Sequence, residues 1–241
     1  MTRIAAILPA AGLGTRMGSD VPKQFLEIEG TPIVLLTLRR LAESRSISEF
    51  FISTRAEELD AFEQRLAGEK FSAPVRIVKG GETRQQSVAN ALERIAPETE
   101  LVLVHDAVRP FVTVEQVKRV IAEASARGAA ILGVPAIDTV KEVRRSTLPE
   151  DVALISATIP REKIVLAQTP QVFHAKLLKD AFARAEQDGV TASDEAALVE
   201  RLGHDVYVVQ GSERNIKITR PADMELARFY LEQERRGKSH V

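Results

Sequence analysis

The sequence predicts an α/β fold: a doubly wound, mostly parallel sheet in a single domain over residues 1–241, with a projecting β-arm at about 138–167. Three observations predict it. Short β-rich runs alternate with helix-period segments through the first 135 residues or so, the rhythm of βαβ units. The fourth run, LVLV at 101–104, is wholly apolar, as a strand covered on both faces must be. Between Asp138 and Ala167 the alternation breaks into extended patterns that leave no room for a crossover helix.

Taken in order, residues 4–8 read as the first strand and lead into a glycine-rich loop. Thr31 offers an N-cap and Pro32 a first helical residue for a helix with Val34, Leu38, Leu41 and Ala42 inward. Residues 50–53 form the second strand, followed by a polar helix at 56–66. The third strand, 75–78, ends at Gly80-Gly81, and the next helix carries Val88, Leu92 and Ile95 on one stripe. After 101–104, Thr113 and Gln116 make a capping box for a helix closed by Gly128. Residues 130–134 are the fifth strand. The arm follows, with 139–143 extended and the charged, turn-forming residues 144–151 interrupting it. Helices resume at 175–186 and at 193–202, where Ser193 is the expected N-cap. A strand at 206–209, the run 215–219 and a helix from 221 to about 235 complete the chain, which is expected to fray from Lys238.

Composition narrows the function classes. Lys plus Arg number 33 and Asp plus Glu 34, a net charge of −1. A non-specific nucleic-acid binder or a polybasic membrane binder needs a large cationic excess, so neither nucleic acid nor membrane is an expected partner. A local cationic pocket stays open. With no cysteine, there is no thiol nucleophile and no thiolate zinc site. The run after Arg3 is broken by Pro9, Gly12 and Gly14, which argues against a secretory signal. No stretch approaches the 18 or so apolar residues of a membrane span. A cytoplasmic protein is expected.

Ligands of open α/β sheets bind beyond the carboxyl ends of the strands, so the residues after each strand matter most. After the first comes PAAGLGTRM, then PKQ at 22–24. Ala10, Ala11, Gly12 and Gly14 let backbone N–H groups approach an anion, and Arg16 and Lys23 add positive charge. A nicotinamide site would want an acid at the end of the second strand, but Ser53-Thr54-Arg55 stands there. Two loop cations suit a triphosphate better, although the Walker pattern is absent. After the third strand, Gly80, Gly81, Glu82, Thr83, Arg84 and Ser87 read most simply as a turn and a helix cap. After the fourth, Asp106 faces the ligand crevice with Arg109 three residues on, a candidate for metal or substrate. Alternation turns His105 to the opposite face, where a packed, hydrogen-bonded ring is expected.

PAAGLGTRM with PKQ, GGETRQQSV, VHDAVRPF, DTVKEV, QTPQVF, SDEAALVE and NIKITRPADM together resemble the cytidylyltransferases that act on 2-C-methyl-D-erythritol 4-phosphate. The resemblance runs in order from about Ile4 to Tyr230. The first motif marks only the wider sugar-nucleotidyltransferase superfamily; its conjunction with HDAVRP, QTPQ and NIKITRP is more specific. One departure is Ser193, where the family often has threonine.

The resemblance implies transfer of CMP from CTP to 2-C-methyl-D-erythritol 4-phosphate, with release of pyrophosphate, in the non-mevalonate route to isoprenoids. It also implies a Rossmann-like domain, a need for Mg²⁺, and a homodimer whose β-arms interlock. Ala10, Ala11, Gly12, Gly14, Arg16 and Lys23 would hold the triphosphate. Gly81, Glu82 and Ser87 would frame the cytosine, with Asp106 and Ala107 near ribose and metal. Arg109, Thr139, Arg161, Thr169 and Lys217, with Ser193, would serve the acceptor, and Arg16, Lys23, Arg161 and Lys217 would carry the catalytic charge. The attacking phosphate oxygen is already anionic at neutral pH, so positioning and electrostatics suffice without a general base. The rival readings are a cytidylyltransferase for another polyol phosphate such as ribitol 5-phosphate, a dinucleotide-dependent oxidoreductase, and a non-catalytic nucleotide-binding protein.

Overall fold

The computed structural model describes residues 2–12, 22–144 and 152–238. The chain enters through β1 (Ile4–Pro9), makes a small ribbon of β2 (Glu27–Ile28) and β3 (Thr31–Pro32), and continues into α1 (Ile33–Glu43). Then come β4 (Glu49–Thr54), α2 (Leu59–Leu66), β5 (Val75–Lys79), α3 (Arg84–Leu92), β6 (Leu101–Val104), α4 (Val114–Arg127) and β7 (Ala129–Pro135). The arm is β8 (Val140–Arg144) and β9 (Leu154–Ile159). After it, β10 (Val165–His174), α5 (Ala175–Gln187), α6 (Glu195–Arg201), β11 (Tyr207–Gln210) and α7 (Pro221–Lys238) complete the described chain.

Seven strands form the central sheet in the order β11-β7-β10-β6-β1-β4-β5. All neighbours run parallel except β10, which is antiparallel to both β6 and β7. Strand alternation builds two cores from adjacent residues. Leu8, Phe50 and Leu103 pack with Leu38, Phe62 and Val120 on one face. On the other, Ile7, Phe51 and Val102 pack with Val88, Leu178 and Phe182. All four residues of β6 are buried, so its apolar run is what a two-sided strand requires. A third cluster, with Val108, Phe111, Ile218 and Met224, ties the segment after β6 to α7.

Several local expectations hold. Thr113 and Gln116 close a reciprocal capping box on α4, and Gly128 ends that helix at φ +96°, where a Cβ would be strained. β8 and β9 pair antiparallel as the arm, with Ile137, Leu154 and Ile155 more than half exposed. Among the described residues, no helix is long and apolar enough to cross a membrane.

Others are corrected. Thr31 is no N-cap: it pairs with Ile28 in the β2–β3 ribbon, and α1 starts at Ile33 with Pro32 before it and no side-chain cap. The helix expected at 56–66 splits into a 3₁₀ turn, Ala56–Glu58, and α2. Asp194 caps α6 in place of Ser193, because its Oδ1 accepts the Ala197 N–H at 3.1 Å. The run 215–219, given no element type by the sequence, is irregular chain in which the Ile218 N–H donates to the Val108 carbonyl at 3.0 Å. Most consequential is β10. The sequence pattern extends the arm to Ala167, yet Val165 already begins a strand that inserts into the middle of the sheet. Its pairing with β7 is irregular between Gln168 and Gln171, around Pro170, which has no N–H to give the ladder. Residues 145–151 and those beyond Lys238, where the sequence leads one to expect fraying, lie outside the described residues.

Candidate active site

The carboxyl ends of β1, β5 and β6 open into a cavity of about 230 Å³. Ala10, Ala11, Gly12, Gly81, Glu82, Ser87, Asp106, Ala107 and Lys217 line it, together with Pro9, Gln24, Thr83, Arg84 and Val108. Gly14, Arg16 and the side chain of Lys23 lie outside the described residues. The turn after β5 must be glycine: a Cβ at Gly80 would lie 2.8 Å from Ser87 Oγ, and one at Gly81 2.4 Å from the Gln86 Cβ. Such contacts force something to move. Thr83 and Gln86 form a capping box that starts α3. The buried Ser87 hydroxyl accepts the Gly81 N–H at 3.1 Å and lies 2.8 Å from the Thr83 carbonyl. Backbone and hydroxyl therefore fix the wall facing Ala10 and Ala11.

Asp106 is the electrostatic centre. Its Oδ1 lies 3.3 Å from Arg84 Nε, while Oδ2 accepts from Arg109 Nε at 3.2 Å and Lys217 Nζ at 2.9 Å. Burial by itself would raise the Asp106 carboxyl. The charges of Lys217, Arg84 and Arg109 outweigh burial and hold it well below the usual carboxylate range. Lys217 arrives from a distant segment that is pinned on both sides. Asn215 is fully buried and donates to the Thr169 carbonyl at 2.9 Å, and Ile218 is buried against Val108. Arg109 also donates to the Asn215 carbonyl at 2.7 Å.

A second, more open hollow of about 480 Å³ lies beyond this centre, with Arg109, Gln168, Asn215, Lys217 and Arg220 in its wall. Lys217 belongs to both hollows. The arrangement can hold two anions side by side: one among glycine-turn backbone groups, the other against cations.

The support beneath Asp106 comes from His105 and Thr169. Thr169 Oγ1 accepts the Asp106 N–H at 3.0 Å and sits 3.0 Å from His105 Nδ1. His105 Nε2 lies 3.0 Å from the Arg109 carbonyl. That carbonyl can only accept, so the Nε2–H tautomer is assigned, and Nδ1 accepts from the threonine hydroxyl. Thr169 therefore buttresses the turn that carries Asp106 and Arg109, and the expected packed histidine is found. Burial lowers the His105 ring to about 4. Because the folded value lies below the unfolded one, its contribution to stability is complete above about pH 6.5 and is lost as pH falls through about 4. Between pH 7.5 and 5 the parent should lose about 2 kcal/mol more stability than His105→Gln. Urea melts across that range check this, and equal pH slopes would contradict it.

Four described residues of the expected site line neither hollow: Thr169, buried beneath Asp106, and three exposed ones. Thr139 is exposed at the root of the arm, Arg161 is exposed and donates to the Ile137 carbonyl at 2.6 Å, and Ser193 is exposed before α6.

The model of the family described as 2-C-methyl-D-erythritol 4-phosphate cytidylyltransferase matches residues 4–233. The chain belongs to that family. A family member from Solibacter usitatus is 49% identical over 239 residues, covering 96% of this chain and 97% of its own length. One from Acidobacterium capsulatum is 50% identical over 237 residues, covering 96% and 98%. The crystal structure of 4-diphosphocytidyl-2C-methyl-D-erythritol synthase from Anaerococcus prevotii superposes with a TM-score of 0.82 at 30% identity, covering 96% of this chain and 99% of that one. The family's enzyme from Thermus thermophilus gives 0.74 at 36% identity, covering 95% and 98%.

Within this cytidylyltransferase family member, two charged residues escape the sequence reading. Arg84 reads there only as part of a turn and cap, and Glu195 only as part of a motif. Burial raises the Glu195 carboxyl, and Arg84 counters this in part. Their connection spans 111 positions of sequence, so no local pattern marks it.

Proposed function

We infer that the chain transfers CMP from CTP to the phosphate of 2-C-methyl-D-erythritol 4-phosphate, releasing pyrophosphate, in the non-mevalonate route to isoprenoids. One observation carries the reading: in a member of this family, Lys217, paired with Asp106, lines both of two adjoining hollows suited to anions. The glycine-turn hollow takes the nucleotide, with Gly81, Glu82 and Ser87 at the base and Asp106 and Ala107 at the ribose. Ala10, Ala11, Gly12, Gly14, Arg16 and Lys23 meet the triphosphate. The open hollow takes the acceptor phosphate against Arg109 and Lys217, with Thr169 below.

An oxygen of the acceptor phosphate attacks the α-phosphorus of CTP. The bond from that phosphorus to the bridging oxygen breaks, and pyrophosphate leaves with the electron pair. The nucleophile arrives ionised, so no side chain need remove a proton. What opposes reaction is the repulsion of two anions and the charge that gathers on the α-phosphate. Arg109 and Lys217 offset both, in a site partly withdrawn from water.

Mg²⁺ ordinarily takes one or two carboxylates and completes its shell with phosphates and water. Asp106 supplies one such carboxylate in the cavity, although its three cationic neighbours must yield one oxygen edge. Among the described residues, no group of three or more acidic or imidazole side chains offers a complete cage. Bound there, the ion would neutralise phosphate charge. We further propose a cytoplasmic homodimer joined through the arm. Paired β8–β9 arms would cover exposed Ile137, Leu154 and Ile155, and would carry Arg161 and Thr139 to the neighbour's acceptor.

Pyrophosphate release measured with CTP and each acceptor tests the reaction. Turnover should require both substrates, and 2-C-methyl-D-erythritol 4-phosphate should exceed ribitol 5-phosphate in kcat/KM by at least about 10²-fold. Equal or reversed preference would overturn the substrate assignment.

A further inference from the structure

The acidic pair at the start of α6 divides into two tasks. Asp194 is structural: its Oδ1 caps the helix, and its Oδ2 accepts from Gln171 Nε2 at 2.8 Å. Gln171 Oε1 in turn accepts the Ala196 N–H at 3.1 Å, so β10 grips the helix start twice. From the other side, Gln85 Nε2 donates to the Val190 carbonyl at 3.1 Å and its Oε1 accepts the Ala192 N–H at 2.9 Å. The starts of α3 and α6 are thereby held in fixed relation.

Glu195 takes no part in that docking. It is 1% exposed and turns toward the cavity wall, where Oε1 accepts from Arg84 Nη1 at 2.7 Å and Oε2 from Nη2 at 3.0 Å. Only Nε of Arg84 reaches Asp106. Both ends of the guanidinium fork are thus spent on Glu195, and a single edge is presented to the central carboxylate. Burying an ion pair is a poor way to gain stability, since an apolar pair of similar volume does as well or better. What this pair supplies is aim: a planar fork held at two points cannot pivot. It also keeps one of three cations from closing fully on Asp106.

We propose that Glu195 is a positioning residue for cytidylyl transfer, holding Arg84 so that it meets Asp106 through one edge. The proposal rests on the reaction inferred above. Without the Glu195 charge, the two freed amino groups of Arg84 turn onto Asp106 or the nucleotide, and Asp106 leaves its working position.

The test combines Glu195→Gln, Arg84→Met and the double variant, with active sites counted by CTP-binding stoichiometry. Glu195→Gln should lower kcat by about tenfold or more, while KM for CTP changes less than about threefold. The double variant should be no slower than Arg84→Met alone, since Glu195 acts through Arg84. A helix-docking role alone would lower melting temperature and leave kcat per binding-competent site unchanged. Arg84→Lys keeps the charge, lacks the fork and does not depend on Glu195→Gln folding; it should show the same kcat-led loss. Retained kcat in either conservative variant, or losses that multiply in the double variant, overturns the relay while the parent remains active. An inactive parent with CTP and acceptor overturns the reaction and the relay with it.

Discussion

Lys217→Ala should lower turnover by about 10²–10³-fold and leave the melting temperature within a few degrees of the parent. Lys217 borders both hollows, and its ammonium lies 2.9 Å from Asp106. It is therefore the described cation best placed to serve the attacking phosphate and the α-phosphate together. Folding depends on it little. Its side chain is one-third exposed, and Asp106 keeps Arg84 and Arg109 when it is gone. Steady-state kinetics and thermal melts on one preparation separate the two effects. Near-normal turnover would remove Lys217 from the mechanism, and a collapse in melting temperature would make it structural.

The parts of this molecule that are legible in the sequence are those whose neighbours in space are neighbours in chain. LVLV at 101–104 announces a two-sided strand because each of its residues needs an apolar partner. The Thr113 and Gln116 box reads correctly because a cap closes within one helical turn. Asp106 stands out because a carboxylate ending an apolar strand has no structural excuse until its partners are seen.

What is illegible depends on long-range satisfaction of polar groups. β10 carries Gln168, Thr169 and Gln171 in the middle of the sheet, and all three are buried. Gln168 Nε2 donates to the Ser212 carbonyl at 2.8 Å, Thr169 lies under Asp106, and Gln171 grips α6. Buried polar groups with partners cost little, but a pattern of hydrophobicity has no way to foresee the partners. Thr31 misleads for the opposite reason. Its cap chemistry is genuine, but the backbone Ile33 N–H donates to the Leu26 carbonyl at 3.0 Å and draws the segment into a ribbon. Arg84 and Glu195 belong to the first class of omission, and the resemblance that named Arg109 and Lys217 passes over both.

In the homodimer proposed above, the site is gathered from several elements of one chain and completed by the arm of a second. Within one chain, Arg161 is exposed at the foot of the arm and lines neither hollow, whereas Arg109 and Lys217, the proposed partners of the acceptor phosphate, line the open one. If each arm supplies its Arg161 to the other chain's site, Arg161→Ala and Lys217→Ala homodimers should each be nearly inactive, with both sites broken. Unfolding the two together and refolding them pairs chains at random, so about half the dimers are mixed. Each mixed dimer has one site that joins an intact Lys217 to an intact Arg161 and one site lacking both. Activity should therefore recover to roughly a quarter of the parent's, as read by pyrophosphate release. Activity that stays at the level of the separate variants, after chain exchange has been verified, would mean that Arg161 serves its own chain and that the shared site does not exist.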